Sequence, residues 1–259
     1  MAGTSNGYNP EPTLSVWLSR EPEQPDWQAL TRCLTPVEQA RMDTLSPPRQ
    51  LEYCHSRWLL RQALGHASGQ GPDQCYPEAG RPVRSASPRG WALSLSHSHG
   101  VSACAVSSHA SIGVDIEPSV RRSDWQRIVK RWFNETEQAW LLEADSATDF
   151  LRVWTLKEAW LKATKRGIAG NLQTLSVCPA GKLQGDDRSR LWAGGTGEVD
   201  GITLGVVYGI LTRATAVQVP PVFWVDPPSL SREKALSAIT PGRIQWWTTR
   251  AITTEGNHD

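Results

Sequence analysis

Asp115 and Glu117 stand two apart in the run Ile112-Gly113-Val114-Asp115-Ile116-Glu117. Ile112, Val114 and Ile116 alternate with Gly113, Asp115 and Glu117, the period of a half-buried strand. That period puts both carboxylates on one side, with Cα atoms roughly 6.5 Å apart. Carboxylates so placed repel each other unless a cation or basic group lies between them. Taken alone, the pair also suits an exposed polar strand face. Glu158 is the third acid of interest. The apolar seam of a helix runs through Leu151, Trp154, Glu158 and Leu161, so Glu158 takes a place that should be apolar. A carboxylate there is expensive unless it is paired or binds metal. Lys162, one turn on, offers an i,i+4 salt bridge as the plainer explanation.

Three carboxylates from a strand and a facing helix would make a hard oxygen site. Magnesium suits it, because it accepts a few carboxylates, retains water and takes further oxygens from substrate phosphates. Arg57, Arg61, Arg81, Lys157 and Lys162 would then balance phosphate charge. Ser96 and His97, at the end of another strand, would contact a diphosphate.

Positioning these groups requires a mixed set of elements. Pro36 to Leu45 reads as a short helix stopped by Ser46-Pro47-Pro48, and Arg49 to about Ala67 as a longer one. Residues 69–89 read as loop, broken by Gly80-Arg81-Pro82. Strands are expected from Trp91, over Val101–Val106 and over Ser111–Glu117, joined as an antiparallel meander. Asp124 suits a cap for a helix reaching Trp132. Asn134 with Glu137, and Ser146 with Asp149, have capping-box spacing for two more helices, the last running from Phe150 to about Lys165. Further strands are expected near Thr174–Val177 and Thr203–Leu211, and a short helical stretch near Glu233–Ile239. Trp246-Trp247 suggests that part of the tail folds back.

The 259 residues carry a net charge of +1, with 39% hydrophobic and 20% charged residues, which gives no electrostatic case for nucleic acid. No apolar run approaches the roughly 20 residues of a membrane span, and the polar start does not read as a secretory signal. Five cysteines without a CxxC pair fit reduced thiols of a cytoplasmic protein better than a disulfide frame or a zinc site.

Gly80-Arg81-Pro82, Ser96-His97-Ser98, Gly113 to Glu117, Phe133 to Glu137 and Trp154 to Lys162 occur in that order, and the order resembles the 4′-phosphopantetheinyl transferase superfamily. The nearest type is its larger monomeric form, which activates peptide and polyketide synthetases. The resemblance covers about Leu34 to Val177, extends plausibly to about Val219 and lapses in the tail. It implies an α+β fold of two similar halves related by a pseudo-twofold axis, each a small antiparallel sheet with helices. The halves would span 14–110 and 111–220, with 221–259 as an extension. It also implies coenzyme A in the cleft between them, magnesium on Asp115, Glu117 and Glu158, and nucleotide and diphosphate contacts from Arg57, Arg81, Ser96, His97 and Lys162. Arg81 stands where the family usually has lysine, so the positive charge is kept. Arg41, Arg49 or Arg61 would meet the 3′-phosphate.

The implied reaction is attack by a serine of an apo acyl or peptidyl carrier protein on the β-phosphate of coenzyme A, releasing 3′,5′-ADP. The carrier would belong to a fatty-acid, polyketide or peptide synthetase. Glu158 is the expected general base, Glu137 its rival, and Lys162 and His97 offset charge on the leaving side. The competing expectation is a magnesium-dependent diphosphate hydrolase or nuclease using the same carboxylates with water. Five basic residues between Arg121 and Arg131 are expected to face an acidic carrier.

Overall fold

The structure, a computed structural model, describes residues 13–78, 84–108, 111–120, 124–210, 217, 219–230 and 239–254. Strand β1 (Leu14–Arg20) leads through helices α1 (Trp27–Arg32) and α2 (Pro36–Met42) to the long helix α3 (Pro47–Ser68). Pro47 and Pro48, expected only to stop the preceding helix, open this one. Proline is tolerated in a first turn, where its missing N–H has no intrahelical partner to lose. A small hairpin of β2 (Tyr76–Pro77) and β3 (Ser85–Ser87) precedes β4 (Ala92–Ser98), β5 (Val101–Ser107) and β6 (Ile112–Pro118).

Helices α4 (Trp125–Trp132), α5 (Glu135–Ala144) and α6 (Ala147–Ala163) follow. Asn134 and Glu137 form the expected capping box of α5, and the Ser146 side chain caps α6 through Asp149 N. Asp124 makes no side-chain cap on α4 and pairs instead with Arg127, at 2.9 Å. The chain continues through β7 (Leu175–Val177), β8 (Leu183–Gly185), β9 (Leu191–Val199) and β10 (Ile202–Ile210). It then adds β11 (Val222–Val225), β12 (Ile239–Pro241) and β13 (Gln245–Thr254).

These strands make two main sheets, in the orders β12-β11-β1-β5-β4 and β6-β10-β9-β13-β8-β7. Their inner faces share one apolar core, with Val16, Leu18, Ala103 and Ala105 on one side and Val114, Ile116, Leu204 and Val206 on the other. On the outer face of the first sheet Trp17, Cys104 and Val106 pack against α3 through Leu59, Leu60 and Ala63. Trp192 and Val207, on the outer face of the second, pack against α6. The molecule is thus layered helix, sheet, sheet, helix, a mixed α+β fold. None of the helices among the described residues is long and apolar enough to cross a membrane.

The expected meander breaks at one point. β4 and β5 pair antiparallel, but β6 pairs with β10 in the second sheet. The tail is no separate extension in space. β11 pairs parallel to β1 in the first sheet, and β13 lies between β9 and β8 in the second. The helix expected near Glu233–Ile239 falls mainly on residues 231–238, outside the described residues; Ile239 begins β12.

Gly113 explains how α6 comes so near β6. A Cβ there would lie 1.9 Å from the Ala159 carbonyl oxygen and 2.7 Å from Ala163 N, and one at Gly205 would lie 2.4 Å from the Thr155 carbonyl. Helix backbone rests directly on sheet backbone at both points. Gly113→Ala should therefore destabilise the protein by at least about 3 kcal/mol, the upper range for overpacking, because backbone rather than a side-chain tip must move. Denaturant melts of the variant measure this; a loss under 1 kcal/mol would refute such close packing.

Candidate active site at the seam between the sheets

β4 and β6 are the facing edge strands of the two sheets, and serine side chains of β4 bridge them. Val114 N donates to Ser94 Oγ at 3.0 Å, Ser96 Oγ donates to Asp115 Oδ1 at 2.7 Å, and Ser98 Oγ donates to Glu117 Oε2 at 2.8 Å. A run Ser94-x-Ser96-x-Ser98 is the period-two pattern such a bridge needs. Ser98 belongs to the Ser96-His97-Ser98 run of the sequence, whereas Ser94 carries no expected role there.

Gly113, Asp115 and Glu117 share the face of β6 on which α6 lies. The Lys162 ammonium donates to Asp115 Oδ1 at 2.8 Å and to the Val114 carbonyl at 2.9 Å. Glu158 is 9% exposed, and its Oε1 is buried with no hydrogen-bond partner. Burial, then Asp115, and to a smaller extent Glu117 push the Glu158 carboxyl up to about 7, with Lys162 pulling it down. The structure thus gathers Ser96, Asp115, Glu117, Glu158 and Lys162 at one place.

Magnesium can be tested against this group. Among the described residues no group of three or more His, Cys, Asp or Glu side chains is placed to hold a metal ion by itself. A cation that draws most of its ligands from water and phosphate does not require one. The orphaned Glu158 oxygen, repelled by two neighbouring carboxylates against one lysine, asks for additional positive charge. The donor set is all oxygen, as a hard cation prefers. The residues fit.

Lys157 and Glu137 form a different group. Both side chains are 0% exposed and lie 2.8 Å apart. The ammonium also donates to the Leu172 and Leu175 carbonyls and sits 4.9 Å from the Phe133 ring centroid. Glu137 accepts from Val177 N at 2.8 Å and Asn134 N at 3.2 Å. Burial pushes Glu137 up and Lys157 down, while each pulls the other back. A phosphate contact was expected of Lys157 and proton transfer of Glu137; in this arrangement their polar atoms join α5, α6 and the Leu172–Val177 segment. Lys157→Met, which strands a buried carboxylate, should cost about 3–5 kcal/mol, and adding Glu137→Leu should restore part of it. Chemical denaturation of both variants decides; a single variant as stable as the parent would contradict the pair's role.

Arg57 and Arg61 gather around Glu38 of α2. Arg61, 2% exposed, places Nη2 2.6 Å from Glu38 Oε2, and Arg57 Nε lies 3.5 Å from Oε1. These contacts fasten α2 to α3; burial pushes the Glu38 carboxyl up, but Arg61 and the hydrogen bonds from Thr35 outweigh it and hold it below its usual value. His97 ends β4, with Nδ1 3.2 Å from Glu52 Oε2, and Glu52 also takes Arg49. Arg81, like Arg121 and Arg122, lies outside the described residues.

Comparison with known proteins agrees with the order of these motifs. The family described as the 4′-phosphopantetheinyl transferase superfamily matches residues 111–196, which include β6, α6 and their carboxylates. The 4′-phosphopantetheinyl transferase HetI of Nostoc sp. is 34% identical over 166 residues, 60% of this chain and 70% of HetI. A putative 4′-phosphopantetheinyl transferase of Synechocystis sp. is 30% identical over 172 residues, 63% of this chain and 68% of its own.

Proposed function

Because the chain belongs to the 4′-phosphopantetheinyl transferase superfamily, we propose that its seam is the site at which phosphopantetheine passes from coenzyme A to the serine of an apo carrier protein. The observation that carries this is the buried, unpartnered Glu158 oxygen facing Asp115 and Glu117, with Lys162 beside them. A site with this charge pattern suits a cation and a diphosphate together.

In the reaction, the carrier serine Oγ bonds to the β-phosphorus while the bond to the bridging oxygen of 3′,5′-ADP breaks. Magnesium, when bound by Asp115, Glu117 and Glu158, supplies charge neutralisation for the phosphate oxygens. The rest falls to this chain's own groups. Glu158 accepts the serine proton. Lys162 and His97 offset negative charge on the departing ADP, and Ser96 keeps Asp115 oriented. With Glu137 closed into its pair with Lys157, Glu158 is the base we assign.

The partner is an acyl or peptidyl carrier. Arg127, Lys130 and Arg131 on α4 provide a basic surface for an acidic partner. One chain supplies both halves of the seam, which supports action as a monomer. Five free cysteines support a cytoplasmic location. Coenzyme A labelled in its pantetheine arm tests the reaction class. Label on the carrier supports transfer; label released as free phosphopantetheine would support the hydrolase reading instead.

A further inference from the structure

A cleft for a polyanion should avoid acids, yet Glu52 stands beside His97. Arg49 Nη1 lies 2.9 and 2.8 Å from the two Glu52 oxygens, and His97 Nδ1 lies 3.2 Å from Oε2. Glu21, which follows β1, is close enough that Glu52 adds to burial in raising its carboxyl pKa. An acid so placed opposes anion binding by its charge unless it serves the site in another way.

We propose that Glu52 is a positioning residue for His97: it accepts from Nδ1–H, so that the imidazolium offers its Nε2–H to a phosphate oxygen of the coenzyme. This rests on reading the seam as a coenzyme A site. The side chain of His97 is about half exposed, at 49%, and an unanchored ring there would sample several rotamers. A carboxylate on Nδ1 fixes the ring and favours the doubly protonated form that can also donate at Nε2, much as outer partners orient metal-bound and catalytic histidines. Arg49 in turn holds the carboxylate. Glu52 and Arg49 come from α3, Glu21 from the end of β1, and His99, bonded to Ser98 Oγ at 3.0 Å, from the turn after β4. Glu117, bonded to the same hydroxyl, lies across the seam. With charges of both signs around the ring, the influence of Glu52 on the ligand passes through the orientation of His97. The resemblance alone would not have suggested Glu52.

The test compares Glu52→Gln, His97→Ala and the double variant, with carrier saturating, and records imidazole ¹⁵N spectra of the parent and Glu52→Gln. Glu52→Gln should raise KM for coenzyme A about 5–10-fold, the scale of one oriented hydrogen bond, and lower kcat by no more than His97→Ala does. The double variant should be no worse than His97→Ala, because one residue acts through the other. The His97 Nδ1 resonance should move. An unchanged or lower KM in Glu52→Gln would overturn the proposal, as would independent multiplication of the two effects or a stationary resonance. Absence of transfer by the parent would instead refute the reading of the seam, while the ring spectra and direct coenzyme A binding still decide the dyad.

Discussion

Asp115→Asn is expected to lower the transfer rate by at least about 10³-fold while the protein stays folded. Asp115 is the point where the seam's bonds converge: Ser96 and Lys162 both donate to its Oδ1, from opposite sides of the cleft. The amide keeps the shape and can still accept one hydrogen bond, so the sheets should remain joined. It cannot carry the negative charge that holds a cation or fixes Lys162. Loss of one preorganised charged group in a phosphate-transfer site typically costs two to three orders of magnitude, here compounded by a misplaced lysine. Single-turnover rates at several magnesium concentrations, with melting curves alongside, measure the effect. Near-normal turnover at low magnesium would remove Asp115 from the site.

Glu158→Gln should do two opposite things. Transfer should fall by about 10²–10⁴-fold, the range for a lost general base. Stability at neutral and higher pH should rise. In the folded protein burial and Asp115 lift the Glu158 carboxyl from 4.5 to about 7. The folded state therefore binds more protons than the unfolded state between these values, and this group's contribution to stability falls as pH rises through them. Glutamine cannot ionise, so the variant should match the parent at pH 4 and exceed it by roughly 2 kcal/mol at pH 8, allowing for partial solvent access. Magnesium should narrow the gap by stabilising the parent. Melting temperatures across pH, with and without magnesium, check this. A variant less stable than the parent at pH 8 would show that Glu158 is compensated in a way its orphaned oxygen does not suggest.

The sequence exposed this site more fully than the frame around it. The alternation of Gly113, Asp115 and Glu117 gave the correct face, and the caps of α5 and α6 were legible because they depend on side chains three residues apart. β1 escaped because it is buried on both faces and so lacks alternation. β9 escaped because Gly194, Gly195 and Gly197 blur its pattern. The partners of β13 lie far back in the chain, and no local signal marks such a pairing. Lys157 is hard to read for a related reason. α6 is buried over most of its circumference, so it has no clean apolar stripe from which to tell a core lysine from a cleft lysine. Arg61 is similar, since nothing near it in sequence reveals that Glu38, on the preceding helix, takes its charge.

The central claim is that a carrier serine, not water, receives the phosphopantetheine at this seam. Its most direct measurement is intact mass of a panel of apo carrier proteins after incubation with the protein, coenzyme A and magnesium, with 3′,5′-ADP quantified in parallel. The account predicts that at least one carrier gains a single phosphopantetheine, that ADP appears in equal amount, and that the same carrier with its serine replaced by alanine gains nothing. Release of 3′,5′-ADP and free phosphopantetheine with every carrier left unmodified would contradict it.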